Sequence, residues 1–442
     1  MGMNTGQLVG IARHFVQAKQ RWATLRGDAL QEYQDQRARQ IVAYAAMHSP
    51  FYRDHWAGHD LTDWRALPTI DKQAMMTNFG TFNTRGISRD AAMQVALRAE
   101  QSRNFAPTIG DVTVGLSSGT SGHRGIFLAA PWEQAGWAGV MLSRALHRVQ
   151  GRLRVAFFLR SNSNLYEHIG GLLIQFRYFD LMTPLPDAIA ALNTFQPQII
   201  VGPPSLLNML ADARETGALR CRPDRLISVA EVLEPQDHAR LHTVFQVAVH
   251  QIYQCTEGLL AISCARGSLH IQEDLVVMQG EAVEDGDHLT PIITDLWRRT
   301  QPIVRYRLND VVQLAPQLCA CGSGFRVIQT IEGRSDDCCR FIAANGGECI
   351  FFPDTIRRMI LLASEQIADY QAVQERVGQL RIHLAVVPGA NFDVVARAVR
   401  ASVASTVAQY ACRPAEVCIE DRLEPLAAGA KRRRVRCVAI AR

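Results

Sequence analysis

The sequence predicts an α/β protein, with a large N-terminal domain of mixed, largely parallel sheets and helices and a small α+β domain at the C-terminus. Three observations predict it. At 442 residues the chain exceeds what one hydrophobic core sustains. From residue 112 onward, short apolar runs bounded by Gly and Pro alternate with helical patterns, as in a sheet covered by helices. After Gly333 the order becomes helix, strand, helix and two further strands, a unit of small-domain size.

Residues 1–75 form a mainly helical lead-in. Residues 30–47 are rich in Gln, Arg and Ala, with Ile41, Tyr44 and Ala45 at helical spacing, and Ser49-Pro50 stops them. No strong pattern appears between 75 and 104. Buried strands are expected at 155–159, 199–201, 226–229 and 247–253. Beyond Gly333 a helix is expected over 354–367, a strand over 380–387 and a helix over 394–410. The expected domains are therefore 1–333 and 334–442.

Composition narrows the function classes. With 48% apolar and 20% charged residues, the chain is neither largely disordered nor membrane-spanning. The net charge of +5 equals the five cations packed into residues 431–436 (KRRRVR), so the remaining body is nearly neutral. A nucleic-acid binder would spread positive charge over a face, so neither nucleic acid nor membrane is expected as a partner. All 11 cysteines lie at or beyond Cys221, and the first 26 residues hold no apolar signal core. The expectation is a cytoplasmic protein with reduced thiols that pack or bind metal.

Four segments could carry chemistry. Ser117-Ser118-Gly119-Thr120-Ser121-Gly122-His123-Arg124-Gly125 combines glycines that expose backbone N–H groups with hydroxyls and a basic pair, as a polyphosphate grip requires. It lacks the Gly-Lys-Ser/Thr ending of a Walker loop, and a plain surface loop is the alternative. Tyr253-Gln254-Cys255-Thr256-Glu257-Gly258 places a hydroxyl and a carboxylate after a buried strand, suited to Mg²⁺ or to a helix N-cap. Asp310 in Arg305-Tyr306-Arg307-Leu308-Asn309-Asp310 suits ribose hydroxyls or a turn. Cys319-Ala320-Cys321-Gly322 is a two-thiolate turn that Cys264 and His270 would complete to a closed Cys₃His zinc set; free loop thiols are the alternative.

In this order, SSGTSGHRG, YQCTEG, YRLND, GRSDD and a late lysine resemble the adenylate-forming superfamily. Ala46 to Arg53 (AMHSPFYR), Leu269 to Asp274 (LHIQED), and Thr294-Asp295-Leu296 leading to Pro302-Ile303-Val304-Arg305-Tyr306 point to its phenylacetate–CoA ligase branch. The resemblance spans essentially the whole chain. It implies that the C-terminal domain is a mobile lid. It implies ATP- and Mg²⁺-dependent conversion of a carboxylic acid to an acyl-adenylate, then transfer to coenzyme A or a carrier-protein phosphopantetheine. Carried over by position, Ser117, Ser118, Gly119, Thr120, Ser121, Gly122, His123 and Arg124 would wrap the β- and γ-phosphates. Thr256 would touch the α-phosphate, Glu257 would hold Mg²⁺, and Asp310 with Arg334 would hold the ribose. Asp336 falls at the hinge, and Lys431 would reach the reacting oxygens. Ala230, Glu231 and Tyr253 fall at the adenine pocket.

For the acid, Tyr166 and His168 fall where the superfamily closes the acyl pocket, with Gly202, Pro203 and Ser205 as another wall and Cys255 lining it. These side chains suit a small aromatic acid. In some branch members similarly placed Cys and His residues bind zinc. The sequence departs from the family at Gln254 and Ala230, both usually Gly, and at Leu308-Asn309. Partners consistent with this reading are the acid, an acyl carrier protein and a second copy of the chain. Two rivals are an adenylate-forming enzyme with a non-thiol acceptor (amine or cofactor hydroxyl) and a non-catalytic zinc-bearing polyanion binder.

Overall fold

The computed structural model describes residues 5–102, 104, 107–116, 125–145, 153–159, 174–181, 183–283, 288–334, 337–425 and 433–438. The chain forms two compact units: Met1–Leu308 with Leu314–Gln329, and Asn309–Gln313 with Thr330–Arg442.

The first unit opens with helices Thr5–Thr24, Gly27–His48 and Pro50–His55. Ser49 ends one helix and caps the next: its backbone is extended and its hydroxyl accepts from Tyr52 N, with Pro50 opening the new helix. Between 75 and 104, where the sequence has no strong pattern, lies the helix Arg89–Ser102. It buries only Ala92, Ala96 and Ala99, a stripe too small to read as amphipathic.

Five strands pair in parallel in the order Ile174–Asp180, Leu153–Leu159, Ile199–Gly202, Arg225–Val229 and Ala248–Cys255. Both faces are apolar. Phe158, Ile200 and Leu226 enter one core, with Leu192 and Leu207 from the covering helices. Phe157, Val201 and Ile227 enter the other. Burial on both faces is why these strands read as continuous apolar runs. Beyond Cys255 the sheet turns antiparallel through Gly258–Ser263 and Leu269–Ile271, which pairs with Val327–Ile328. The antiparallel share is larger than the sequence pattern suggests.

The second unit packs helices Pro353–Leu361 and Phe392–Gln409 on a four-stranded sheet. Its strands run Glu416–Glu420, Gln379–Val386, Ile367–Gln374 and Val435–Cys437. The helix expected over 354–367 stops at Leu361, because polar Ser364-Glu365-Gln366 breaks its apolar stripe, and Ile367 opens a strand. Among the described residues, no helix is long and apolar enough to cross a membrane.

One buried carboxylate ties the lead-in to the sheet. Asp274 is fully buried and accepts from Arg144 Nη2 at 2.9 and 3.0 Å and from Arg21 Nε at 2.9 Å. Arg144, on the helix Pro131–Ala145, also donates to Gln272 Oε1 at 2.8 Å and to the Ala18 carbonyl at 2.7 Å. Burial lowers the Arg144 pKa and the Asp274 charge opposes that shift. Removing one partner of such a pair strands the other. Asp274→Ala should therefore cost about 3–5 kcal/mol in urea unfolding, whereas Arg144→Met with Asp274→Leu should recover much of it.

Candidate active site and metal-ligand cluster

Thr256 and Glu257 form the turn between the strands Ala248–Cys255 and Gly258–Ser263. They cap no helix, which removes the structural alternative for this pair. Glu257 is 7% exposed, and each of its oxygens has a hydroxyl donor. Thr256 Oγ1 donates to Oε2 at 2.8 Å, and Tyr306 Oη donates to Oε1 at 2.9 Å. Two donors use about half of a carboxylate's lone pairs, so a cation can still bind there.

The turn is tied to the strand that leaves the glycine-rich loop. Arg298 Nη1 donates to the Thr256 carbonyl at 2.7 Å, and its Nη2 donates to Gln301 Oε1 at 2.9 Å. Gln301, 1% exposed, accepts from Leu128 N at 3.0 Å and donates to the Ile126 carbonyl at 3.1 Å, both on the strand Ile126–Ala129. Asp295 fixes the Arg298 turn by accepting from the backbone N–H of Trp297 and Arg298. Sequence reasoning assigned roles to none of Arg298, Gln301 and Tyr306. Tyr306 was legible only as part of a family phrase, and a buried Gln after Thr300 carries no local signal.

Ala230 follows the strand Arg225–Val229 with a φ of 69°, in the left-handed region that an L side chain enters at a cost. That backbone explains why glycine is the usual residue there. Glu231, expected at the adenine pocket, is turned to the helix Pro204–Glu215: its carboxylate accepts from Ser205 N and Ser205 Oγ, each at 3.1 Å. Ser205, expected on the acid wall, thus shares with Glu231 a carboxylate cap on a helix N-terminus. Pro203 precedes that helix, and Gly202 packs closely: a Cβ there would lie 3.2 Å from Leu206 Cδ2 and 3.3 Å from Phe158 Cβ. Tyr253 and Cys255 are half-buried on the strand leading to Thr256, and Cys255 Sγ lies 3.8 Å from the Gly258 carbonyl.

Asp310 begins the strand Asp310–Leu314 and is half-buried; Arg334 ends the strand Val327–Arg334. Ser117, Ser118, Gly119, Thr120, Ser121, Gly122, His123, Arg124, Tyr166, His168, Asp336 and Lys431 lie outside the described residues, as does the Arg334 side chain.

Cys264, His270, Cys319 and Cys321 converge, with their ligand atoms all within 4.8 Å of one another. Cys264 opens a tight turn after the strand Gly258–Ser263, closed by Gly267 N donating to the Cys264 carbonyl. His270 sits on the strand Leu269–Ile271, and Cys319 and Cys321 flank a turn whose Gly322 has a φ of +86°. The Sγ atoms of Cys264 and Cys319 are 3.9 Å apart, and Cys321 Sγ lies 3.4 Å from His270 Nε2. A zinc tetrahedron with Zn–S bonds of about 2.3 Å has edges of about 3.8 Å between sulfurs and slightly less to nitrogen, so this donor set fits Zn²⁺. His270 Nδ1 faces the Phe325 carbonyl at 2.9 Å, which leaves Nε2 for the metal. Burial and the Arg144 cation keep the imidazole below its ordinary pKa, in the neutral ligand form.

No family model matches the chain. Phenylacetate–coenzyme A ligase of Thermus thermophilus is 24% identical over 382 residues, covering 81% of each chain. The ligase of the same name from Escherichia coli is 23% identical and covers 80% of this chain and 81% of its own. The crystal structure of 2-hydroxyisobutyryl-CoA ligase in its postadenylation state superimposes with a TM-score of 0.70 at 17% identity, over 95% of this chain and 91% of that one. An anthranilate CoA ligase bound to anthranoyl-AMP gives a TM-score of 0.50 at 12% identity, over 72% of this chain and 66% of that one. The structural likenesses establish the fold, and the two curated relatives match it along four-fifths of the sequence. The chain is therefore similar to phenylacetate–coenzyme A ligases along four-fifths of its length and shares the fold of 2-hydroxyisobutyryl-CoA ligase.

Proposed function

We propose that this protein is an acid–thiol ligase that activates a small carboxylic acid with ATP and passes the acyl group to coenzyme A. The observation that carries the reading is the Thr256–Glu257 turn, with the carboxylate held by two hydroxyls and the turn tied through Arg298 and Gln301 to the strand after the glycine-rich loop. The names of the relatives support thiol transfer. The phenylacetate ligases and the anthranilate ligase support an aromatic acid, for which Tyr166 and His168 are the expected pocket residues.

A carboxylate oxygen attacks the α-phosphorus and pyrophosphate leaves; the thiolate sulfur then attacks the acyl carbon and AMP leaves. Negative charge builds on the phosphoryl oxygens in the first step, so a cation aimed there lowers the barrier. Lys431 is the side chain assigned to that role, with Thr256 at the α-phosphate and Asp310 and Arg334 at the ribose. The residues Ser117 to Arg124 would grip the leaving pyrophosphate. Glu257 would hold Mg²⁺, which when bound supplies further positive charge to the phosphates. Cys264, His270, Cys319 and Cys321 would hold a structural Zn²⁺, closed to substrate by four protein ligands.

With ATP, Mg²⁺ and a panel of aryl acids, the protein should exchange labelled pyrophosphate into ATP. Silence across the whole panel would refute the reading. Lys431→Ala should lower exchange by about 10²–10³-fold while retaining ATP binding. Product mass with and without coenzyme A separates thiol transfer from an amine or hydroxyl acceptor. Metal analysis should find one zinc per chain, absent in Cys319→Ser with Cys321→Ser, whose melting temperature should fall. Ala230→Gly relieves a left-handed alanine and should stabilise the fold by about 0.5–1 kcal/mol, net of the extra chain entropy of glycine, in urea unfolding.

A further inference from the structure

Glu257 owes one of its two hydroxyl donors to its own neighbour, Thr256. The other, Tyr306, comes from a remote strand, and the structure shows what brings it there. Tyr306 is 2% exposed and pairs with Ile293 on the strand His288–Asp295 and, on its other side, with Ile70 of the lead-in. The residue before it, Arg305, has a φ of 52°, a strained backbone for an arginine. Arg305 is held in that state from every side. Its N–H donates to Thr294 Oγ1 at 3.0 Å, its carbonyl accepts from Ile70 N at 3.0 Å, and its guanidinium donates to the Leu67 carbonyl at 2.8 Å and to Gln279 Oε1 at 2.9 Å. Arg307 N then donates to the Ile70 carbonyl at 2.7 Å, closing a clamp around Tyr306. A twisted residue fixed by four bonds turns the next side chain inward at a set depth, and that side chain ends on Glu257.

Resting on the ligase reading above, we propose that Tyr306 is a positioning residue for the metal-binding carboxylate of Glu257, set in place by the strained Arg305 and its clamp on the lead-in. A free carboxylate rotates, and a cation must stop that rotation to bind it; a carboxylate already pinned at Oε1 and Oε2 has less freedom to lose. The clamp also makes residues 67–70 part of the metal site's support.

The test is Mn²⁺ binding, read by electron paramagnetic resonance of the free ion, in the presence of a non-hydrolysable ATP analogue. Tyr306→Phe removes the hydroxyl that, among the described residues, reaches Oε1 and should weaken Mn²⁺ binding about tenfold, and should raise the Mg²⁺ concentration for half-maximal pyrophosphate exchange by a like factor. Tyr52→Phe is the control: that buried phenol donates to the Pro302 carbonyl and accepts from Val304 N beside the clamp but does not bond Glu257, so it should lower the melting temperature without moving Mn²⁺ affinity. Arg305→Asn keeps a residue that tolerates positive φ but deletes the guanidinium clamp, and should weaken Mn²⁺ binding about threefold even if Tyr306→Phe folds poorly. Unchanged Mn²⁺ affinity in Tyr306→Phe, or an equal loss in Tyr52→Phe, overturns the inference alone. A wild-type protein that binds no metal–nucleotide pair overturns the ligase reading, and this inference with it.

Discussion

A carboxylate removed from water must find its full complement of donors inside the protein, and Asp274 finds them on two helices far away in sequence. Arg21 comes from the first helix and Arg144 from the helix Pro131–Ala145. Both have to converge on the turn that follows the strand Leu269–Ile271, which fixes the lead-in against the sheet. The neighbouring residues of that turn extend the effect. Gln272 and Asp274 both face Arg144, while Glu273 holds Arg326 through its backbone and side chain. Trp22 sits edge-on to His270 at 5.1 Å, with the Arg144 guanidinium 4.7 Å from its ring centroid. The metal-ligand cluster and the buried ion pair therefore share one aromatic wall, and the six residues from Leu269 to Asp274 serve both.

Elsewhere in the first unit the chain departs from its local preferences. Ala230 and Arg305 both adopt backbone conformations that suit glycine. Each lies beside a group with a defined direction: Glu231 aimed at a helix N-terminus and Tyr306 aimed at Glu257. Strain at both positions is held by neighbouring hydrogen bonds rather than by the residue's own tendency, as expected where geometry outranks propensity. The Arg298–Gln301 pair works differently, by joining the Thr256–Glu257 turn to the strand Ile126–Ala129.

Much of this was readable in advance, for identifiable reasons. The strands at Phe157–Phe158, Ile199–Val201 and Leu226–Val229 are buried on both faces, so hydropathy alone marks them. Ser49-Pro50 is visible because a cap and a helix-opening proline are local chemistry. The Cys₃His set could be assembled because thiolates and imidazole have few other reasons to recur together. What escaped was long-range or small. The alanine stripe of Arg89–Ser102 has too little apolar surface to stand out. Gln301 and Tyr306 act through partners more than a hundred and about fifty residues away respectively, at 175 and 49 positions' separation. Glu231 and Ser205 were named by family position for separate roles, and their mutual hydrogen bonds could be known only from the fold.

The basic tail shows how charge count and charge availability differ. The sequence places the chain's whole cationic surplus in residues 431–436, as if a polyanion were to be met there. In the second unit, the described arginines of that run are already engaged. Arg433 pairs with Asp337, Arg434 donates to Asp369 at 2.9 Å, and Arg436 pairs with Glu424. Their alternation between neighbouring carboxylates stitches the final strand Val435–Cys437 beside Ile367–Gln374, with Ala372 N donating to the Arg434 carbonyl. A surface meant for nucleic acid would leave such guanidiniums to phosphates, and neutralising them internally removes the salt-dependent attraction on which that binding rests. The described part of the cluster is better understood as fastening: its arginines secure the strand Val435–Cys437 to the small domain's sheet.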